Sequence, residues 1–351
     1  MKKIFFHLFI SRWSINAGLV LKVAFVWMMG LLFLPSCERA LINPDPESTA
    51  VSNFDQLWKT VDEKYSYFTY KDIDWNAVYA KYRPRVKNGM KSEDLFNVMA
   101  EMLFELRDGH VNLFSRFNVS RNWEWYLGYP QNYNNTIIER NYLRSDYQIA
   151  QPFRTRIINN VGYIRYSSFQ SGVSGSTFDY LLAKYSGLKG IIIDIRDNGG
   201  GSISNVDVMA SRFVKTPTLV GYTRYKSGPG HNEFSAFYEQ QLKPAGRYFP
   251  GKVVVLTNRS VYSAANDFAS VMAELPNVTL IGDQTGGGGG APISSELPNG
   301  WRFRFSTNQL LNSKKEQIEN GVPPDIKVDM LKSQEDQGVD TILETALDFL
   351  K

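Results

Sequence analysis

Residues 251–270 read GKVVVLTNRSVYSAANDFAS. Val253 to Leu256 form a short, almost purely apolar run, the pattern of a buried strand. Asn258 to Tyr262 break it, and Ser263 opens a segment, Ala264-Ala265-Asn266-Asp267-Phe268-Ala269, with good helical content. A serine where a buried strand turns into a helix has its hydroxyl at the positive end of the helix dipole. Backbone amides there are free to face a developing oxyanion. The same placement suits a plain N-cap, because serine is a favoured cap residue. Other parts of the chain decide between the two.

Residues 189–201 read KGIIIDIRDNGGG. Gly190 to Ile195 is a second buried-strand run, and Asp194, Arg196 and Asn198 lead into Gly199-Gly200-Gly201. Three glycines after a central strand let the backbone approach a ligand and turn its amides toward it. The triplet lacks the G-x-G-x-x-G frame of nucleotide-binding turns. D-x-R-x-N-G-G-G after one strand, followed further on by strand–serine–helix, resembles the tail-specific, or C-terminal processing, serine protease family. The resemblance covers roughly residues 50–330. It implies an α/β fold with a ClpP/crotonase-like superhelical core, and Ser263 as the nucleophile. It also implies an oxyanion hole built from the glycine turn, Gly199 and Gly200, and the Ala264 amide.

Many members of that family activate the serine with a lysine in a G-x-x-T-x-G-K-G motif. This chain has the frame from Gly282 through Thr285 to Gly290, but Gly288 stands at the lysine position. A second branch, which resembles the tricorn protease core and its retinoid-binding relatives, takes a histidine from the end of an N-terminal helical region and a glutamate from near the C-terminus. Residues 103–113, LFELRDGHVNL, and 316–326, EQIENGVPPDI, supply His110 and Glu319 at those places. The resemblance implies His110 as general base and Glu319 as the carboxylate that orients it. Gly109 stands where the tricorn-like pattern has a serine.

The chemistry suits these residues. A serine hydroxyl is a poor nucleophile until a base takes its proton. Neutral imidazole does this near neutral pH, so activity is expected to rise with pH through about 6 to 7. His231 lies in the turn-rich stretch Ser227-Gly228-Pro229-Gly230-His231-Asn232, as an exposed loop histidine or a substrate contact. Gly286 and Gly287 begin a five-glycine run that reads equally as a linker or as the mobile rim of a substrate cleft.

The N-terminus speaks to location. Residues 1–36 carry Lys2, Lys3, Arg12 and Lys22 and no acids, and an apolar run from Val23 to Leu34 leads into Pro35-Ser36-Cys37. A basic start, a short apolar stretch and a small residue before the cut describe an export signal. Cys37, the only cysteine, follows Leu-x-Ser, which resembles a bacterial lipobox. A lipid-anchored envelope protein is therefore expected, facing the periplasm or the surface. The full chain carries a net charge of +4, and the four basic leader residues account for all of it. With no excess of positive charge in the remainder, nucleic acid is not an expected partner.

The expected organisation is a signal peptide over 1–36, a tether over 37–50 and a helical region over 51–114. A connecting segment over 115–150 and an α/β core over 151–351 follow. Too few residues separate His110 from the strand at Val161 for a PDZ domain to fit, so none is expected. No Cys/His/Asp/Glu cluster has metal-ligand spacing, and no cofactor is expected. Two function classes remain. One is a cell-envelope serine endopeptidase acting on peptide or protein substrates. The other is a catalytically inactive lipoprotein that binds peptides or hydrophobic ligands on the same scaffold. Oligomeric state cannot be read from the sequence.

Overall fold

The computed structural model describes residues 47–351. The expected export signal and Cys37 lie outside the described residues. Among the described residues, no helix is long and apolar enough to cross a membrane.

Three helices come first: α1 (Ala50–Lys64), α2 (Trp75–Tyr82) and α3 (Ser92–Phe104). Their starts have clear local causes. Thr49 and Ser52 form a reciprocal capping box at α1, and the Asp74 carboxylate accepts from the Ala77 amide at α2. Phe54, Leu57 and Val61 share one face of α1 and pack against Trp75, Phe96 and Met99. Leu297, Trp301, Phe303 and Phe305 complete this cluster from the far end of the chain. They arrive because the short strand β1 (Asn112–Phe114) pairs antiparallel with a hairpin arm at Arg302–Ser306.

The remaining strands are β2 (Gln148–Ala150), β3 (Phe153–Ile158), β4 (Val161–Arg165), β5 (Gly190–Asp194), β6 (Thr218–Tyr225) and β7 (Tyr238–Leu242). After these come β8 (Lys252–Thr257), β9 (Val278–Gly282), β10 (Pro292–Glu296), β11 (Arg302–Ser306), β12 (Asn308–Leu311) and β13 (Ile326–Lys327). Seven form one mixed sheet in the order β13-β9-β8-β5-β4-β3-β2, parallel from β13 to β4 and antiparallel at β3 and β2. Two three-stranded sheets, β1-β11-β10 and β12-β6-β7, flank it.

The helices α4 (Gly175–Lys184), α5 (Ser204–Ala210), α6 (Ala264–Ala273) and α7 (Thr341–Phe349) cover the large sheet on both faces. Strand alternation divides the work. Ile191, Ile193, Val253 and Val255 pack with Phe178, Met209 and Phe268 on one side. Ile192, Val254 and Leu256 pack with Ile342, Leu343 and Leu347 on the other. Strands buried on both faces read as continuous apolar runs for this reason. The result is the α/β architecture expected from the sequence.

One pairing positions the site. β5 and β8 are parallel neighbours at the sheet centre, with Asp194 opposite Leu256. Both chains leave the sheet at the same edge, so the glycine turn after β5 meets the serine turn after β8. The Tyr262 amide donates to the Asn198 carbonyl at 3.0 Å and locks the two turns together. The segment 286–290 is buried throughout. It is neither a linker nor a mobile rim, because Glu319 ties it down. The Gly288 amide donates to the Glu319 carbonyl at 2.9 Å and the Gly289 amide to the Glu319 carboxylate at 2.8 Å.

Candidate active site

Ser263 sits immediately before α6 with φ 58° and ψ −125°. An L-residue is strained there, and strain of this kind persists only where the surroundings enforce it. Two hydrogen bonds do so: the Ser263 amide donates to the Gly287 carbonyl, and the Ser263 carbonyl accepts from the Asp267 amide, each at 2.9 Å. The backbone is thereby held while the side chain stays free of capping bonds. Its Oγ instead lies 3.0 Å from His110 Nε2, across 153 residues of sequence.

His110 is buried, and three neighbours shape its position. Its amide donates to Asp108 Oδ1 at 2.7 Å. Its ring packs beside Tyr262, with centroids 4.9 Å apart. Tyr65 and Tyr262 both donate hydroxyls to the Asp108 carboxylate, at 2.9 and 3.3 Å. Burial pulls the imidazole down to about 4, partly offset by Asp108 and reinforced by Arg304 and Lys71. The site therefore holds a neutral imidazole at neutral pH. For Asp108, burial opposes ionisation, but Lys71, His110 and the hydrogen bonds outweigh it and keep the carboxyl below its usual range.

Glu319 is close by but is not the hydrogen-bond partner of His110. Its Oε1 pairs with Lys71 Nζ at 2.7 Å and its Oε2 accepts from the Gly289 amide at 2.8 Å. The buried His110 Nδ1 has no hydrogen-bond partner among the described residues. This corrects the expectation that Glu319 orients the imidazole. A buried carboxylate needs a counter-charge, and Lys71 supplies one at contact distance. Burial lifts the Glu319 carboxyl to about 7 against the pull of Lys71.

The glycine turn is held by Asn198, whose side-chain oxygen accepts from the Gly200 and Phe169 amides at 3.0 and 3.2 Å. Gly200, expected from the family resemblance to be an oxyanion donor, has its amide already committed. The amides of Gly199 and Ala264 have no hydrogen-bond acceptor among the described residues. Gly200 contributes by proximity instead. With φ 93° it passes so close to the serine turn that a Cβ there would stand 2.6 Å from the Tyr262 carbonyl oxygen and 2.7 Å from Ser263 Cβ.

A cleft of about 550 Å³ opens over Ser263, His110, Gly199 and Gly201, with Arg121, Trp123, Trp125 and Arg304 on its other walls. Trp125 stacks on Tyr262 at 4.2 Å and separates this cleft from a neighbouring cavity of about 610 Å³ that holds Lys71, Glu319 and Gly286. Gly286 thus lines the neighbouring cavity, and Gly287 supports the Ser263 backbone. His231 corrects another expectation, since it lines neither space. Its ring stacks on Phe68 at 4.2 Å and its Nε2 lies 2.8 Å from Asp62 of α1. The Gly288 and Gly109 departures also acquire causes. A Cβ at Gly288 would meet the Tyr262 ring at 2.6 Å, and one at Gly109 would meet Trp125 Nε1 at 2.6 Å. Sequence reasoning missed Lys71, Asp108, Trp125, Tyr262 and Arg304. Only Asp108 and Tyr262 offered a signal, as near neighbours in sequence of His110 and Ser263.

The chain is similar to known peptidases. The model of peptidase family S41 matches residues 160–328, and that of the tricorn protease C1 domain matches residues 46–104. A crystal structure of a protein from Parabacteroides merdae, assigned provisionally as a peptidase, superposes with a TM-score of 0.84 at 45% identity, covering 87% of this chain and 97% of that one. The carboxy-terminal processing protease CtpA of Bacillus subtilis is 28% identical over 49% of this chain and 36% of its own length. The chain thus spans about a third of the curated relatives it matches. Mature CPAF shares the fold, with a TM-score of 0.65 at 12% identity, over 86% of this chain and 96% of that one.

Proposed function

The chain belongs to peptidase family S41, and from that premise we propose that it is a serine endopeptidase that cleaves peptide bonds through an acyl-enzyme on Ser263. The observation that carries this reading is the 3.0 Å approach of His110 Nε2 to an Oγ held on a strained turn at the start of a helix. His110 takes the Ser263 proton as Oγ attacks the scissile carbonyl, and the amides of Ala264 and Gly199 donate to the oxyanion. His110 then protonates the leaving amine, and a water repeats the sequence to release the acid. The carboxylate that bears on the imidazolium is Asp108, through its position beside His110. Glu319 acts at one remove, anchoring the loop that supports Ser263.

The decisive experiment is labelling by a fluorophosphonate probe together with peptide turnover. Ser263→Ala should abolish labelling and lower kcat by roughly 10³-fold or more while the fold is kept. Ser260→Ala should retain both. A folded wild-type chain that neither labels nor cleaves would favour the non-catalytic binding role.

The proposed location is the cell envelope, with lipid on Cys37. The support is the basic, apolar and Leu-x-Ser-Cys order of residues 1–37. Cys37→Ser should move the protein out of the membrane fraction or stall its precursor, and unchanged retention would refute the anchor.

A further inference from the structure

The walls of the Ser263 cleft carry two arginines, Arg121 and Arg304, and no aspartate or glutamate. Neither arginine forms a salt bridge among the described residues. Arg304 is half-buried on β11, and its Nε donates to Asn112 Oδ1 at 2.7 Å, which fixes the plane of the guanidinium. Its two Nη groups have no acceptor among the described residues. Asp108, whose charge reaches Arg304, is buried and is already taken up by Tyr65, Tyr262 and the His110 amide. Arg121 lies over the Trp123 ring at 5.5 Å and forms no salt bridge among the described residues. Arg304 is close enough to the catalytic histidine to disfavour its protonation.

A half-buried guanidinium with its outer edge free matches a carboxylate, which it can hold through two parallel hydrogen bonds. Most surface arginines find solvent; this one faces the volume a substrate must enter. Resting on the peptidase reading of the same cleft, we infer that it selects peptides presenting a carboxylate next to the scissile bond, held by Arg304 with Arg121 adding to the field. The carboxylate is that of an acidic side chain, because an endopeptidase cuts away from the chain terminus.

The test uses the full chain carrying Ser263→Ala, so that binding is read without turnover. The probes are fluorescein-labelled hexapeptides that carry Glu or Gln at each position in turn. Each is made as the free acid and as the C-terminal amide. Fluorescence polarisation should show about tenfold tighter binding when a carboxylate is present, with the preference shrinking as salt is raised. Loss on Glu→Gln supports the inference, and loss on amidation alone would overturn it. Adding Arg304→Gln should bring the ratio close to one, and Arg121→Gln, at an exposed position, should reduce it. Equal binding of all peptides, or a preference that survives both arginine changes, would overturn the inference. Fluorophosphonate labelling of the wild-type chain reports separately on the peptidase reading, so either can fail without the other.

Discussion

Lys71 Nζ lies 2.7 Å from Glu319 Oε1, and the two side chains are only 4% and 2% exposed. Lys71 also donates to the Leu106 and Arg107 carbonyls, at 3.3 and 2.9 Å. One ammonium group thus joins the turn that carries His110 to the loop that supports Ser263. Burial pulls Lys71 toward its neutral form, but Glu319 and Asp108 outweigh it and hold the ammonium above its usual range.

Removing Lys71 should leave Glu319 buried without a counter-charge. Lys71→Met is expected to cost about 3–5 kcal/mol of stability at pH 8. The sign with pH follows from linkage. The carboxyl of Glu319, raised further in the variant, favours its neutral form in the fold, so stability is kept at low pH and lost as pH rises through that raised pKa. Urea unfolding at pH 5 and pH 8 checks this, and adding Glu319→Gln should restore part of the loss. An equal loss at both pH values would mean that the pair does not hold the two turns.

The acid limb of activity should lie well below the range of an ordinary histidine. Protonated His110 cannot accept the Ser263 proton, so kcat/KM rises with pH through the imidazole pKa. Burial lowers that pKa to about 4, in place of the 6 to 7 expected for an unperturbed imidazole. Activity should therefore persist at pH 5. A second, shallower inflection near 7 would belong to Glu319, which burial raises to about 7, and Glu319→Gln should abolish it. A single limb at 6.5 in kcat/KM would show that the histidine is not desolvated in the free protein.

Gly200→Ala should damage catalysis more than folding. The new methyl would meet the Tyr262 carbonyl at 2.6 Å and Ser263 Cβ at 2.7 Å. Displacing the nucleophile by part of an ångström is expected to lower kcat by about 10²-fold. Fluorophosphonate labelling should slow in parallel. Wild-type kcat in this variant would show that the two turns can separate without loss.

Arg196 tests the fold behind the site. Its guanidinium is fully buried between Asp194 at 2.7 Å and Asp340 at 2.9 Å, and Asp340 caps α7 through the Leu343 amide. Arg196→Met should destabilise by about 3–5 kcal/mol, because two carboxylates lose their partner. Proteolysis should then begin in the segment 341–349. A loss under about 1 kcal/mol would show that burial of Ile342 and Leu347 alone holds this helix.

Much of the architecture is legible in local pattern. Runs such as 191–193 and 253–256 announce central strands because strand residues buried on both faces are apolar without alternation. Strands at Gln148–Ala150 and Tyr238–Leu242 were not anticipated, being largely exposed edge segments with no burial pattern to read. The glycine run misleads for the opposite reason. Its composition suggests looseness, whereas the Glu319 backbone and carboxylate pack it tightly.

The strand–serine–helix junction, the glycine turn and the glycine at the lysine position, Gly288, are legible along the chain alone. These are local, since each follows from which residues sit next to one another along the chain. The packing of the chain places Asp108 against the His110 amide and pairs Glu319 with Lys71. Asp108 adjoins His110 along the chain and Glu319 does not, but both are acids, and the residues around them do not show which one a buried cation takes up. The outcome depended on Lys71, which reaches Glu319 from the loop after α1 and neutralises it in a space too buried for an unpaired charge. A counter-ion brought in across the fold leaves no trace in the residues around the one it pairs with, so that assignment had to await the packed molecule.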